Sequence, residues 1–289
     1  MDDTEVSLLD WLKAGAQYLL PQHAITRTAH WLTRIEAPAI KDWLIRSFIR
    51  NFNVDMSEAA QPDSRAYPSF NAFFTRALRD GTRPVSQEAG SIACPVDGIV
   101  SQCGNIERDF IFQAKDRGFT TEELLGNATL ANNFASGEYA TLYLSPRDYH
   151  RVHMPLDGAL RHVLHIPGHL FSVNPPNTRT VPDLFARNER VVTVFETLAG
   201  PTAVVMVGAL NVASIETIWA GEITPPRSKQ VRTWKYQDNE IALKKGAELG
   251  RFNMGSTVIL LFGRNRARWN AALTAGATVR MGQCIGNLL

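Results

Sequence analysis

The chain has 289 residues, 45% of them hydrophobic and 20% charged, and its 30 Lys and Arg against 28 Asp and Glu give a formal net charge of +2. That length and composition support a substantial buried core, as one large domain or a domain with an appendage, and the near balance of charge excludes a nucleic-acid binder dominated by lysine and arginine. Cys94, Cys103 and Cys284 are odd in number and widely spaced, which points to a reducing compartment and away from a disulfide framework or a Cys-x-x-Cys metal site.

The N-terminus, Met1-Asp2-Asp3-Thr4-Glu5, is acidic where a secretory leader is basic, so no signal peptide and a cytoplasmic protein are expected. Leu8, Leu9, Leu12, Ala16, Leu19 and Leu20 recur at helical spacing up to Pro21, and similar patterns run through Trp31-Leu32 and through Ile40, Trp43, Leu44 and Phe48. These predict two or three amphipathic helices. Trp11, Trp31 and Trp43 are half of the six tryptophans, and residues 11–50 hold six Lys or Arg against Glu36 and Asp42. Apolar faces bearing tryptophan, with a basic surplus, suit the interface of an anionic bilayer. Packing on the protein's own core accounts equally well for any one helix taken alone. Residues 1–60 are therefore read as an amphipathic helical segment, open between those two surfaces, and residues 61–289 as a β-rich catalytic domain.

Next, Ser69 stands as an N-cap before Phe70, Phe73, Phe74, Ala77 and Leu78, which predicts a helix ended by Gly81. From Gly98 to Phe262 short apolar runs succeed one another between Gly, Pro or Asn, among them Tyr139–Tyr143, Val191–Phe195, Val204–Val207 and Val258–Phe262, with one short helix at Thr121–Leu125. The longest uncharged stretch, Thr197–Ile215, contains Gly200, Pro201, Gly208 and Asn211 among β-branched residues, and reads as strand, turn, strand rather than a membrane span. The expected class is α+β, with an antiparallel β-rich catalytic core behind amphipathic N-terminal helices.

The chemistry concentrates at Gly255-Ser256-Thr257, between a basic turn and the apolar Val258–Phe262. A serine hydroxyl one residue past a glycine carbonyl is placed to attack it, since glycine has no Cβ to shield that carbonyl. Attack would convert the peptide to an ester, and elimination followed by hydrolysis would leave a pyruvoyl ketone. Such a group substitutes for a borrowed cofactor like pyridoxal phosphate. Asp97, in Cys94-Pro95-Val96-Asp97-Gly98, and His150 and His153, in the segment Leu144 to Pro155, supply the acid and base of a nucleophile–base–orienter set with Ser256. His162, His165 and His169 lie nearby, but i, i+3 pairs point to opposite faces of a strand, so no metal site is expected. For His150 and His153 the same spacing requires a bulge or turn around Arg151-Val152 if both are to face one pocket. There is no Walker-type loop and no Gly-x-Gly-x-x-Gly.

From Phe70-Asn71-Ala72-Phe73-Phe74-Thr75-Arg76 through Pro-Val-Asp-Gly, His-x-x-His, Phe171-Ser172-Val173-Asn174, Leu184 to Arg190 and Ser214 to Trp219 to Gly-Ser-Thr, the chain closely resembles the bacterial phosphatidylserine decarboxylase proenzymes. Met254 replaces the leucine usual in that family, a change that conserves volume and apolarity. The resemblance implies that His153, oriented by Asp97, activates Ser256, and that His150 donates a proton in the decarboxylation site. It implies cleavage into a β chain, 1–255, and an α chain, 256–289, which stay together as a heterodimer with any higher assembly left open. It also implies a pyruvoyl group from Ser256, phosphatidylserine in an anionic membrane as substrate, phosphatidylethanolamine as product, and a peripheral place on the cytoplasmic side of the cell membrane, with residues 1–60 as the membrane-associating helices. Two alternatives share parts of the pattern: a soluble pyruvoyl-dependent amino-acid decarboxylase, and a serine hydrolase, whose usual Gly-x-Ser-x-Gly is missing here.

Overall fold

The computed structural model describes residues 15, 17, 18, 20–114, 117–210, 214–225, 229–237, 240–254 and 256–289, with the side chains of Pro175 and Ser256 outside that description. Leu8, Leu9, Trp11, Leu12, Ala16 and Leu19 of the first predicted helix, and Gly255, lie outside it as well.

Two helices open the described chain, α1 (Gln22–Leu32) and α2 (Pro38–Phe52). Proline at the first position presets the helical φ of α2, and Asn53 ends it in the left-handed region. A third helix, α3 (Phe70–Phe74), begins as expected, with Ser69 Oγ accepting from the Ala72 N–H at 3.2 Å. It stops at Phe74 instead of reaching Leu78. The Ala60 N–H donates to Ala77 O and the Arg79 N–H to Glu58 O, both at 2.9 Å, so tertiary pairing captures backbone that helical spacing had claimed. Phe48 of α2 sits edge-on to Phe70 and Phe74, with ring centroids 5.2 and 5.8 Å away, in a small aromatic core that also holds Ile45, Tyr67 and Phe73.

The remainder is mainly strand: β1 (Ser91–Ala93), β2 (Gly98–Asn105), β3 (Phe110–Ala114), β4 (Arg117–Thr120), β5 (Glu138–Leu144), β6 (Arg151–His153), β7 (Gly158–Ile166), β8 (Arg190–Thr197), β9 (Gly200–Val207), β10 (Ser214–Thr217), β11 (Gly221–Thr224), β12 (Arg232–Lys235), β13 (Ala242–Leu243), β14 (Glu248–Asn253), β15 (Ser256–Phe262), β16 (Ala267–Trp269), β17 (Thr278–Val279) and β18 (Cys284–Leu288). The largest sheet runs β12-β7-β8-β9-β15-β5-β2-β17 with β13 also on β7; a second runs β11-β10-β14-β6 and a third β1-β18-β16. Every pairing within these sheets is antiparallel. The fold is thus α+β; the expected short helix falls at Thr121–Leu125, opened by a Thr120–Glu123 capping box, but it is not single, since Ala128–Ala131, Pro175–Thr180 and Leu184–Arg187 are helical as well.

β15 occupies the interior of the large sheet, flanked by β5 and β9, and Val258 to Phe262 are each 0% exposed. Beyond it the chain stays woven in: β17 pairs with β2, and β18 pairs with β1. The motif from Leu184 to Arg190 is structural. Asn188 Nδ2 donates to the carbonyls of Phe171 and Gly208, and Arg190 donates to those of Glu123, Leu124, Ala186 and Asn188, capping two short helices.

Candidate active site

The site forms at one end of three neighbouring strands. Ser256 starts β15 opposite Leu144, the last residue of β5, and Ile99 near the start of β2 lies opposite Tyr143. Asp97 and the Ser256 backbone therefore flank the same end of β5, two strand spacings or about 10 Å apart. Gly98 is required there, because a Cβ would stand 2.3 Å from Tyr143 O. The His153 N–H donates to Pro95 O at 2.9 Å, which brings β6 to the same place.

Asp97 is buried and fully engaged. Arg83 Nε lies 3.0 Å from both carboxylate oxygens and Nη2 2.6 Å from Oδ2, while the Met281 N–H donates to Oδ1 at 2.8 Å. Arg83 also grips Glu58, with Nη2 2.6 Å from Oε2. His153 Nδ1 donates to Gly246 O at 2.8 Å, which fixes the tautomer and leaves Nε2 to accept from the Tyr149 hydroxyl at 3.0 Å. Burial pushes the Tyr149 phenol up to about 12, so it keeps its proton for that bond. Burial also lowers His153, against the opposing pull of Gly246 O and nearby acids that include Asp97. The expected tautomer-setting bond from Asp97 to His153 is absent among the described residues, since Arg83 and Met281 occupy the carboxylate and Gly246 occupies Nδ1. Asp97 acts on the imidazole through space.

His150 is 0% exposed, with its ring 4.0 Å from that of Phe74. Its Nδ1 donates to Asp148 O at 2.8 Å, and Nε2 is buried with no partner among the described residues. Burial, aided by the Arg76 charge and resisted by the Asp148 bond, carries it down to about 3. His150 is therefore neutral, and Nε2 presents a lone pair where the sequence led us to expect a proton donor. The bulge lies elsewhere too: the irregular register falls between Glu248 and Gly250 of β14, leaving β6 regular opposite it. Arg76 is 4% exposed and donates through Nη2 to Arg147 O at 3.1 Å, with Nε and Nη1 unpartnered among the described residues.

A cavity of about 200 Å³ adjoins this end of the strands, lined mainly by Phe48, Phe52, Phe74, Tyr143, Leu144 and Met254, with Ser172 and Asn174 as polar groups. Among the described residues no group of three or more His, Cys, Asp or Glu is placed to hold a metal ion. Of the remaining histidines, His165 is 0% exposed and pairs through Nε2 with Glu189 at 2.9 Å. Arg76 stood inside a sequence motif, and Tyr149 immediately precedes His150. Arg83 carried no sequence signal, because its role arises from a contact with Asp97 made only in the fold.

Residues 70–287 match the family model described as phosphatidylserine decarboxylase, and residues 12–53 match one described as PSD. A protein of Methylococcus capsulatus named phosphatidylserine decarboxylase proenzyme is 52% identical over 96% of both chains. One of the same name from Alkalilimnicola ehrlichii is 58% identical over 90% of this chain and 91% of its own, and one from Pseudomonas aeruginosa 53% identical over 97% and 98%. The chain belongs to the phosphatidylserine decarboxylase family and is a decarboxylase, a lyase.

Proposed function

We propose that the chain is a proenzyme that cuts itself between Gly255 and Ser256, and then converts phosphatidylserine to phosphatidylethanolamine with a pyruvoyl group left at Ser256. The observation that carries this reading is the convergence of Asp97, His153 and the Ser256 backbone at one end of β2, β5 and β15.

In the processing step His153 is the base. Its Nδ1–H is committed to Gly246 O, and burial keeps Nε2 unprotonated, so Nε2 takes the Ser256 hydroxyl proton as Oγ bonds to the Gly255 carbonyl carbon. The Gly255–Ser256 C–N bond breaks to give an ester and a free amine; elimination then frees the Gly255 carboxylate, and one water releases ammonia. Asp97, immobilised by Arg83 and Met281, favours the imidazolium that forms. Tyr149 holds the Nε2 position until the serine proton arrives.

A pyruvoyl ketone supplies an electrophile for the substrate amine and a sink for the electron pair of the bond to the carboxylate. The buried, unpartnered polar atoms beside the site suit such a group. His150 Nε2 takes a proton from the substrate ammonium and returns it to Cα after CO₂ leaves, so the residue serves as acceptor first and donor second. The open donors of Arg76 suit an anionic group of the substrate. The apolar lining of the adjoining cavity suits its lipid end.

Trp31 and Trp43 stand 66% and 63% exposed on α1 and α2, and Ile40 and Phe52 of α2 are exposed as well. They support attachment to the cytoplasmic face of an anionic membrane. No helix among the described residues is long and apolar enough to cross one. The interior place of β15 supports a β chain and an α chain that remain together.

Release of CO₂ from phosphatidylserine vesicles and from free serine tests the substrate. Turnover of the lipid and not of serine is expected; the reverse would favour a soluble amino-acid decarboxylase.

A further inference from the structure

Between β14 and β15 the chain leaves the four-stranded sheet and enters the large one across Met254 and Gly255 alone. Met254 makes this crossing with φ +98°, a region that residues with a Cβ rarely adopt. Such a conformation persists only where its surroundings impose it. On one side, the Met254 side chain is packed against the aromatic core of α2 and α3. On the other, the preceding residue, Asn253, is 1% exposed and its amide is gripped from several directions. Oδ1 accepts from Asn71 Nδ2 at 3.0 Å, and Nδ2 donates to Ser214 Oγ and to Glu222 Oε1, the latter at 3.3 Å.

The grip extends into the helical layer. Glu222 Oε1 also accepts from Ser214 Oγ at 2.9 Å and from Arg34 Nη2, and His30 Nε2 lies 3.6 Å from Glu222 Oε2. His30 belongs to α1, and Arg34 follows that helix. The Asn71 N–H donates to Thr33 O at 2.8 Å. Asn253 is thus the point where the N-terminal helices bear on the segment to be cut.

We infer that Asn253 is a positioning residue for self-cleavage: its amide, clamped by Asn71, Ser214 and Glu222, fixes the left-handed turn at Met254 and thereby the approach of the Ser256 hydroxyl to the Gly255 carbonyl. The inference rests on the self-cleavage reading above. Attack within one dipeptide depends on angle and distance, and a misplacement of about 1 Å costs on the order of 10²-fold in rate. An amide suits the position because it accepts on one side and donates on the other. Aspartate would keep the acceptor toward Asn71 while setting a carboxylate against Glu222.

The test is the rate at which freshly translated, full-length precursor splits, followed by gel and intact mass. Asn253→Ala should split roughly 10- to 100-fold more slowly. Asn253→Asp should also be slow, and adding Glu222→Gln should restore most of the rate, because the donor and the acceptor are then exchanged across the same contact. That rescue separates positioning from simple loss of packing. Should Asn253→Ala fail to fold, the pair Asn253→Asp and Asn253→Asp with Glu222→Gln decides alone. Splitting of Asn253→Ala at the wild-type rate, or a double variant no faster than Asn253→Asp, overturns the clamp and leaves self-cleavage standing. A wild-type chain that stays whole overturns both.

Discussion

Strand β15 and the N-terminal helices α1 and α2 are both rich in apolar side chains, yet the fold uses them in opposite ways. Val258 to Phe262 are wholly enclosed, with a ladder on each side, whereas Trp31 and Trp43 face outward from helices docked by one face only. A strand held on both edges and both faces can lose its covalent link without leaving. Helices held on one face retain an apolar surface for something else. The segment proposed to be cut lies where the two regions meet, with Met254 packed against the aromatic core of the helices and Ser256 at the head of the strand.

The largest expected effect falls at that junction. Asp97→Asn and His153→Ala should each accumulate as full-length chain on a gel, with splitting slowed by orders of magnitude, since such groups act as a unit. Normal splitting of His153→Ala would move the base elsewhere. His150→Ala should still split, yet lose roughly 10²- to 10⁴-fold in turnover of phosphatidylserine. A fully processed variant with wild-type turnover would remove His150 from the reaction.

The two regions should also differ in what they contribute to stability. Measured by denaturant unfolding in a Ser256→Ala background, Leu260→Ala should cost about 2–5 kcal/mol for the cavity it leaves. Trp43→Ala should cost under about 0.5 kcal/mol while weakening co-sedimentation with anionic vesicles. Equal costs would erase the contrast between a buried strand and a half-docked helix.

Acid should act on the core side of the comparison. His150 titrates at about 3 when folded against an ordinary 6.5, and His153 is lowered as well, so between these limits the unfolded chain binds more protons than the folded one. The stability they contribute is complete above about pH 6.5 and is lost as the pH falls toward 3. Replacing His150 with Phe in the Ser256→Ala background should flatten that slope in unfolding curves, and an unchanged slope would contradict the burial argument for this residue.

Much of this was legible because the patterns were local. Apolar runs bounded by turn residues marked β5, β8, β9 and β15, and the Thr120 to Glu123 spacing carried its own cap. What the sequence hid was set by contacts between distant segments. α3 lost its second turn to pairing with residues 58–60. The Asp97 carboxylate went to Arg83 and Met281, and the His153 tautomer went to Gly246, a glycine carbonyl that no side-chain pattern announces. The bulge moved to β14, because the period of β6 alone does not tell which of two paired strands carries the extra residue.

The most direct measurement of the central claim is the intact mass of the purified wild-type protein. The account predicts two chains that divide between Gly255 and Ser256, the smaller one lighter by one ammonia than the same peptide begun by serine, and blocked to N-terminal sequencing. A single chain of full-length mass, or a small chain beginning with a free serine amine, would contradict it.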